Sequence, residues 1–396
     1  MDGKKKYGSC AFERLMSFLA EFIFADDAIG EWKRRTEEER EELCKAATDY
    51  GLGPLFYYAL LDVLPPEHKE KFGEENRLNG VRALRFSYQY DLICALFRRN
   101  MIRFVPLKGA VLAREVYPAP SLRPMCDLDI LVHPSDCSRA LELLREEGWE
   151  GGEFRGEHHF SCLRKQTVVL EIHYDLPGFH TENPDTLWGE FLPENTSGEY
   201  RLSAELNLLL LISHATNHHW HNGIRMLLDL AFVIRQGQID WEQVELLAKR
   251  FGLISPCSVC SLVPELFAGQ VPDKVKDTEL LQQTATDFKL LLQENLQFTP
   301  NTWEAVMNDP ARYSAEWWLK RLRGIRPQVV SRRHGLKPGQ YGKLLIYFCR
   351  DLRQKIVYGL RMLYRSENRA LHLHLERQNR INALLEYLSG RGEYDN

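Results

Sequence analysis

The sequence lacks the features of membrane-spanning and secreted proteins. Its most apolar stretch, residues 206–212, includes Asn207 and is far shorter than the roughly 18 residues that a bilayer-spanning helix needs. Residues 1–17 include three consecutive lysines, but Glu13 and Arg14 interrupt the apolar segment that a signal peptide requires. The nine cysteines are an odd number without the spacing of a disulfide framework. We therefore expect a cytoplasmic protein with reduced thiols.

The chain also lacks an overall excess of charge, because 51 basic residues stand against 55 acidic ones, for a net charge of −4. With 44% hydrophobic and 27% charged residues, the composition is that of a packed globular protein and excludes a largely disordered chain. The charged residues are distributed unevenly along the chain, however. Residues 320–391 contain 17 basic and 4 acidic side chains. This basic C-terminal module is expected to dock on the acidic remainder of the chain or to contact a polyanion such as nucleic acid or anionic lipid.

The periodicity of apolar residues divides the chain into helical and strand-forming parts. Residues 12–99 show the three- and four-residue spacing of helices, and helices return from Ser203, which is a candidate N-cap. Between them, three segments have the length and composition of strands: 102–107, 128–133 and 167–174. Helical segments at 110–116 and 135–147 separate these strands, with Gly148 after the second. The alternation predicts a small α/β unit.

The predicted fold class is therefore α+β, with a small mixed-sheet α/β core flanked by N-terminal and C-terminal helical regions. Four units are expected: an N-terminal helical region, the α/β core, a helical substrate or packing region and the basic helical C-terminal module, at 1–100, 101–200, 201–300 and 301–396. In the last unit Leu345, Phe348 and Leu352 follow the spacing of an amphipathic helix.

Two aspartates at the start of the second predicted strand are the first candidates for chemistry. Asp127 and Asp129 are separated by one residue, and side chains at i and i+2 of a strand point to the same side. Two such carboxylates repel each other unless a cation neutralises them. Mg²⁺ typically binds one or two carboxylates together with phosphate oxygens and water. The pair therefore predicts a metal–phosphate site.

Glu171 in the third predicted strand is a candidate third carboxylate. It would share a strand face with His173, and its apolar neighbours make an unpaired charge unfavourable there. Three acids on adjacent strands can hold two cations for in-line phosphoryl transfer. Gly109 follows the first strand, and without a side chain it allows a phosphate to approach the backbone at the start of a helix.

The ordered set of these motifs resembles the polymerase-β-like nucleotidyltransferase superfamily, and more narrowly its uncharacterised bacterial nucleotidyltransferase family. Residues from about 92 to 240 carry the resemblance, with Leu-Lys-Gly-Ala at 107–110, Tyr-Pro at 117–118, Arg-Pro at 123–124, Asp-Leu-Asp-Ile-Leu-Val at 127–132, Leu-Glu-Ile-His-Tyr at 170–174 and Arg-Met-Leu-Leu-Asp at 225–229. The Lys-Gly opening, with an arginine four residues before the first aspartate, is also similar to minimal nucleotidyltransferases of toxin–antitoxin systems.

This resemblance implies an enzyme that transfers a nucleoside monophosphate from an NTP to an acceptor hydroxyl and releases pyrophosphate. The implied catalytic residues, which are also the ligands of Mg²⁺ or of Mn²⁺ in its place, are Asp127, Asp129 and Glu171. The implied nucleotide-binding residues are Lys108, Gly109, Ala110, Arg123 and His173; a structural role for His173 is an equal alternative. The acceptor, whether small molecule, peptide, protein or RNA, is left open.

One departure from the superfamily pattern supports a second hypothesis. Ala110 and Val111 stand where many members have a serine or threonine whose hydroxyl binds a phosphate. The chain could therefore be a catalytically inactive nucleotide-binding or scaffold protein with the same fold. A nucleic-acid or membrane-surface protein that works through the C-terminal module is a third hypothesis.

Several other residues have a plain structural interpretation beside a functional one. His214 and His218 have the i, i+4 spacing of zinc ligands, but no glutamate completes a metalloprotease motif, which favours packing or substrate contact. Asp229 is expected either to form a buried pair with Arg225 or to take part in catalysis. The C-x-x-C pair at 257–260 is expected to be the apolar start of a helix rather than a redox site.

Overall fold

The computed structural model describes most of the chain. It covers residues 9–151 and 163–293, apart from 166, 177, 180, 182, 218, 219, 221, 222, 238 and 273–277, together with 341–362 and the single residues 381 and 385.

The N-terminal part of the chain is helical, as its periodicity predicts. Thr36 and Glu39 form a capping box at the start of the third helix, and Gly51 ends that helix with a φ of +66°. A π-helical turn at Glu21–Ala25 follows the first helix. The five helices are α1 (Ser9–Ala20), α2 (Ala28–Arg34), α3 (Glu37–Tyr50), α4 (Gly53–Leu60) and the long α5 (Pro66–Arg99).

A mixed four-stranded sheet follows α5. Its strands are β1 (Phe104–Leu107), β2 (Leu128–Val132), β3 (Leu163–Lys165) and β4 (Val168–His173), in the order β1-β2-β4-β3. β2 is antiparallel to β1 and parallel to β4, and β3 is antiparallel to β4. The three strands expected from the sequence are confirmed. β3 was not predicted, because a three-residue segment with two basic side chains shows no strand pattern.

Helices connect the strands near the predicted positions. β1 leads into α6 (Lys108–Val111), which continues as a π-helical turn at Leu112–Val116 and is followed by a 3₁₀ turn at Pro120–Leu122. α7 (Cys137–Glu146) joins β2 to the second half of the sheet, and Gly148 follows it with a φ of +82°.

The sheet lies between two hydrophobic cores. Phe104, Ile130 and Ile172 belong to a core that includes the second half of α5 and the inner face of α7. Val105 and Leu131, on the opposite face, belong to a larger core formed with the N-terminal helices and the helices that follow the sheet. Because strand side chains alternate, β2 contributes to both cores. The one polar side chain that interrupts β2 is Asp129.

The chain after the sheet is again helical. Ser203 caps the helix that begins at Ala204, because its Oγ accepts a hydrogen bond from the Leu206 amide at 3.3 Å, which confirms the predicted N-cap. The elements are α8 (Pro184–Trp188), β5 (Leu192–Pro193), β6 (Tyr200–Arg201), α9 (Ala204–Asn217), α10 (Gly223–Arg235), α11 (Trp241–Phe251), α12 (Pro256–Ser261), α13 (Pro264–Phe267), α14 (Thr278–Gln293) and α15 (Tyr341–Met362).

The architecture confirms the expected fold class, an α+β protein with a small mixed sheet and helical flanks. Among the described residues no helix is long and apolar enough to cross a membrane. Cys257 and Cys260 are buried side chains on α12, in agreement with the helix start expected there. Of the basic C-terminal module, α15 is described together with residues 381 and 385, and the rest lies outside the described residues. The four-unit division stays a prediction.

Candidate metal and nucleotide site

The pairing of β2 with β4 brings two acidic side chains together. In the parallel register Asp129 lies opposite Glu171, and Leu131 lies opposite His173. Alternation along β4 places Glu171 and His173 on one face of the sheet. Leu170 and Ile172 point into the core on the other side of the sheet. Residues more than 40 positions apart in the chain therefore converge at one place on the sheet.

Asp129, Glu171 and His173 form a compact group that could hold a metal ion. Each offers one ligand atom, and these atoms all lie within 4.8 Å of one another. The His173 Nε2 lies 2.8 Å from the Asp129 Oδ1 and 3.8 Å from the Glu171 Oε2. Asp129 and His173 are buried, whereas Glu171 is partly exposed. Two carboxylates and an imidazole are a donor set that suits a divalent cation, so the residues present fit the implied metal.

Asp127 lies immediately before β2 and outside that compact group, which in the described chain comprises the three residues above. Its carboxyl group is nevertheless close enough to interact electrostatically with Asp129 and Glu171. Burial, followed by repulsion from Asp129 and Glu171, raises the pKa of Asp127 from 3.8 to about 7. The carboxylate at 127 is therefore held in a place where its negative charge is unfavourable without a cation.

Asp129 shows the opposite behaviour. Its burial would raise the pKa of the carboxyl group, but the positive charge of Lys108 and the hydrogen bond with His173 outweigh burial and lower the pKa well below 3.8. The charge of His214 on α9 acts in the same direction. The pKa values of the two aspartates are thus shifted in opposite directions, down for Asp129 and up for Asp127.

Lys108 is buried in the site and pairs with Asp129. Its Nζ lies 3.4 Å from the Asp129 Oδ1, and only 8% of each side chain is exposed. The residue adopts a φ of +41°, in the left-handed region that costs about 1–2 kcal/mol for a residue with a Cβ. The resemblance implies a phosphate contact for Lys108, whereas the structure directs its ammonium group to the carboxylate.

Gly109 lies where a side chain would meet the arginine of the site. A Cβ at Gly109 would lie 3.1 Å from the Arg123 Nη1 and 3.5 Å from the Met125 Cγ. A larger residue would therefore have to push the guanidinium away. Ala110, in contrast, is 2% exposed and belongs to the core beneath the sheet. Its methyl group packs in that core, and the nucleotide-binding role implied for Ala110 stays a prediction.

Arg123 is held by a bidentate ion pair with Asp229 of α10. The Arg123 Nε and Nη2 donate to the Asp229 Oδ1 and Oδ2, each at 2.8 Å. Tyr117 donates its hydroxyl to the same Oδ1 at 2.7 Å. Burial opposes the charge of Arg123, but the attraction of Asp229 raises the pKa of its guanidinium. The expected pair between Asp229 and Arg225 is therefore wrong, because Asp229 forms its ion pair with Arg123 instead.

Three residues that meet here were named in the sequence analysis but were not assigned to the site. Tyr117 and Asp229 hold Arg123, and His214 acts on Asp129 from α9. The partnership of Asp229 could not be found from spacing, because 106 positions separate it from Arg123. His218 of the proposed zinc spacing lies outside the described residues, so that alternative is not tested.

A comparison with protein families gives one match. The model of a family described as "Uncharacterised nucleotidyltransferase" covers residues 36–268, which is 233 of the 396 residues and includes the six strands of the described residues and the residues of the site. Comparison with curated proteins and with solved structures gives no match.

Proposed function

The chain belongs to the uncharacterised nucleotidyltransferase family, and from this premise we propose that it transfers a nucleoside monophosphate from an NTP to an acceptor hydroxyl, with release of pyrophosphate. The observation that carries the proposal is the buried group of Asp129, Glu171 and His173 beside Gly109, with Asp127 adjacent to it. Such a group of mutually repelling carboxylates is stable only with positive charge among them.

Mg²⁺, or Mn²⁺ in its place, would be held by Asp127, Asp129 and Glu171, and when bound it would neutralise phosphate oxygens and favour attack by the acceptor oxygen. His173 fixes the Asp129 carboxylate through its 2.8 Å hydrogen bond and so orients this ligand. Lys108 balances the charge of Asp129 until the cation binds, and is then available for a phosphate oxygen.

The reaction requires little covalent chemistry from the protein. The acceptor oxygen forms a bond to the α-phosphorus, the bond from that phosphorus to the bridging oxygen breaks, and the hydroxyl proton leaves to a carboxylate or to water. Pyrophosphate carries away the electron pair of the broken bond. The protein accelerates the step by positioning the reactants and by neutralising charge, which here falls to the carboxylates and to Arg123.

We also propose that the protein works in the cytoplasm, because no disulfide is found among the described cysteines, which include the exposed Cys126 and Cys349. The acceptor is an unidentified hydroxyl compound, peptide, protein or RNA.

The test has two stages. The protein is first incubated with each α-labelled NTP, Mg²⁺ and a cell extract, and the labelled product is identified. The double variant Asp127→Asn with Asp129→Asn is then compared with wild type. We expect labelling and pyrophosphate release to fall by at least about 10³-fold, as for loss of a metal-binding electrostatic site.

Asp91→Asn is the matched control, because it removes a carboxylate that pairs with Arg114 on the surface of α5. It should label the acceptor at the wild-type rate. Retention of activity in the double variant would refute the assignment of the carboxylates. Tight binding of Mg·NTP without label transfer or pyrophosphate release would favour the inactive nucleotide-binding protein.

A further inference from the structure

Arg225 is a cation of the site region that none of the described acids neutralises. It lies on α10, one helical turn before Asp229. The structure gives Lys108 and Arg123 an acidic partner each, at Asp129 and at Asp229. For Arg225 it records no ion pair and no hydrogen bond to any described residue, although the side chain is partly buried.

The surroundings of Arg225 place it beside the ion pair of Arg123 and Asp229. A Cβ at Gly51 would collide with the Arg225 Nη2, so the guanidinium packs on the end of α3. Its charge also interacts with Cys126, which is exposed and directly precedes Asp127. Burial, together with the nearby charge of Arg123, lowers the pKa of Arg225.

Asp229 is near enough to attract Arg225, but its single negative charge is already paired with Arg123. Its Oδ1 accepts from Arg123 and from Tyr117, and its Oδ2 accepts from Arg123. One carboxylate therefore lies near two guanidinium groups and pairs with Arg123, so the positive charge of Arg225 is not neutralised by Asp229. An unpaired, partly buried cation lowers the stability of a folded protein unless a bound anion neutralises its charge.

We propose that Arg225 is an anion-binding residue that receives a phosphate group of the nucleotide, beside Arg123. The inference rests on the proposed function and extends it, because it assigns a second arginine to the phosphates. Arg123 contributes its Nη1, which faces Gly109 and is the nitrogen that Asp229 does not use. The two arginines suit the diphosphate part of an NTP, or free pyrophosphate, because guanidinium groups bind phosphate oxygens in a planar, charge-assisted geometry.

A purely structural role makes the opposite prediction about stability. If Arg225 serves to bind the carbonyl end of α3, its removal destabilises the ligand-free protein. If it is an unpaired anion-binding group, its removal leaves the ligand-free protein as stable as before or more stable, and weakens anion binding. The sign of the change in melting temperature therefore separates the two roles.

The experiment compares Arg225→Gln with Arg235→Gln in the full chain. Arg235 lies in the last turn of the same helix and pairs with Asp26 at the surface, so its replacement removes the same charge away from the site. Melting temperatures are measured without ligand, and the affinity for pyrophosphate is measured by calorimetry with and without Mg²⁺. Arg225→Lys, which keeps the charge and loses the planar fork, is the second variant.

We expect Arg225→Gln to melt at or above the wild-type temperature and to bind pyrophosphate at least about tenfold more weakly, as for loss of one charge-assisted contact. Arg225→Lys should bind with intermediate affinity, and Arg235→Gln should bind as wild type does. A lower melting temperature together with unchanged pyrophosphate affinity in Arg225→Gln would overturn the inference.

The outcome also separates this inference from the proposed function. If wild type labels an acceptor and Arg225→Gln does so with an unchanged KM for the NTP, the role of Arg225 is wrong and the nucleotidyl transfer stands. If wild type binds pyrophosphate through Arg225 but transfers no nucleotide, the anion site stands and the transferase is wrong. If wild type binds no pyrophosphate, the anion site is wrong.

Discussion

Replacement of Asp127 by asparagine should stabilise the metal-free protein. The pKa of Asp127 rises from 3.8 to about 7 on folding, because the group is buried and lies near two other carboxylates. At about 1.4 kcal/mol per pKa unit, ionisation of this group at pH 8 lowers the free energy of unfolding by at most about 4 kcal/mol. Relaxation of the site reduces this value, and we expect a gain of about 2 kcal/mol from Asp127→Asn.

The effect should depend on pH with a definite sign. Between the unfolded pKa near 3.8 and the folded pKa near 7, the folded state holds a proton that the unfolded state has released. Wild type therefore loses stability as the pH rises through this window. Asparagine cannot ionise, so the variant lacks this loss. The two proteins should differ little at pH 4 and most at pH 8.

Denaturant unfolding in the presence of a chelator at pH 4, 6 and 8 measures this difference. Added Mg²⁺ should then stabilise wild type at pH 8 more than it stabilises Asp127→Asn, since a ligand that binds the folded state stabilises it by mass action. Asp91→Asn on the surface of α5 is the control and should follow wild type at every pH. The reasoning is refuted if Asp127→Asn is less stable than wild type at pH 8 without metal.

Two further predictions concern the residues that hold the cations of the site. Lys108 has a φ of +41°, which glycine adopts without strain, so Lys108→Gly should be more stable than Lys108→Ala by about 1 kcal/mol. Both variants lose the contact with Asp129, and equal denaturation midpoints would show that the backbone at this residue is not strained. Asp229→Asn leaves the guanidinium of Arg123 without its charged partner and should lower the free energy of unfolding by about 3 kcal/mol, whereas Tyr117→Phe, which loses one hydrogen bond, should lower it by about 1 kcal/mol. A double-mutant cycle that gives no coupling between positions 123 and 229 would contradict the ion pair.

The parts of the site that follow from local periodicity could be predicted from the sequence. Asp129 and Glu171 lie in apolar strands, so alternation alone shows which face each occupies, and the parallel register then places them opposite each other. His173 follows by the same rule, two residues after Glu171. Its hydrogen bond to Asp129 depends on the side-chain conformation and on the pairing of two strands, which the order of residues along the chain does not contain.

The parts that depend on distant packing could not be predicted. The pairing of Asp229 with Arg123 joins α10 to the segment before β2, and the sequence offered Arg225, four residues away on the same helix, as the simpler partner. Helical i, i+4 spacing allows a pair between Arg225 and Asp229 but does not require it. In the structure Asp229 pairs with Arg123, which binds it through two nitrogens. The left-handed backbone of Lys108 is equally invisible in a sequence, since lysine is not a residue that marks a positive φ.

The charges of the site are divided in a way that suits one orientation of a metal–nucleotide complex. Asp127, Asp129 and Glu171 form an anionic side, on which a cation is favoured. Arg123, whose Nη1 faces Gly109, and the proposed anion-binding Arg225, which lies near Cys126, form a cationic side. A magnesium–NTP complex is itself polar, with its metal at one side and its terminal phosphates exposed. It would be attracted in one orientation and repelled in the reverse, so that its α-phosphorus is presented at the carboxylates. Asp229 fixes Arg123 in this arrangement, because it accepts two hydrogen bonds of 2.8 Å from the guanidinium group.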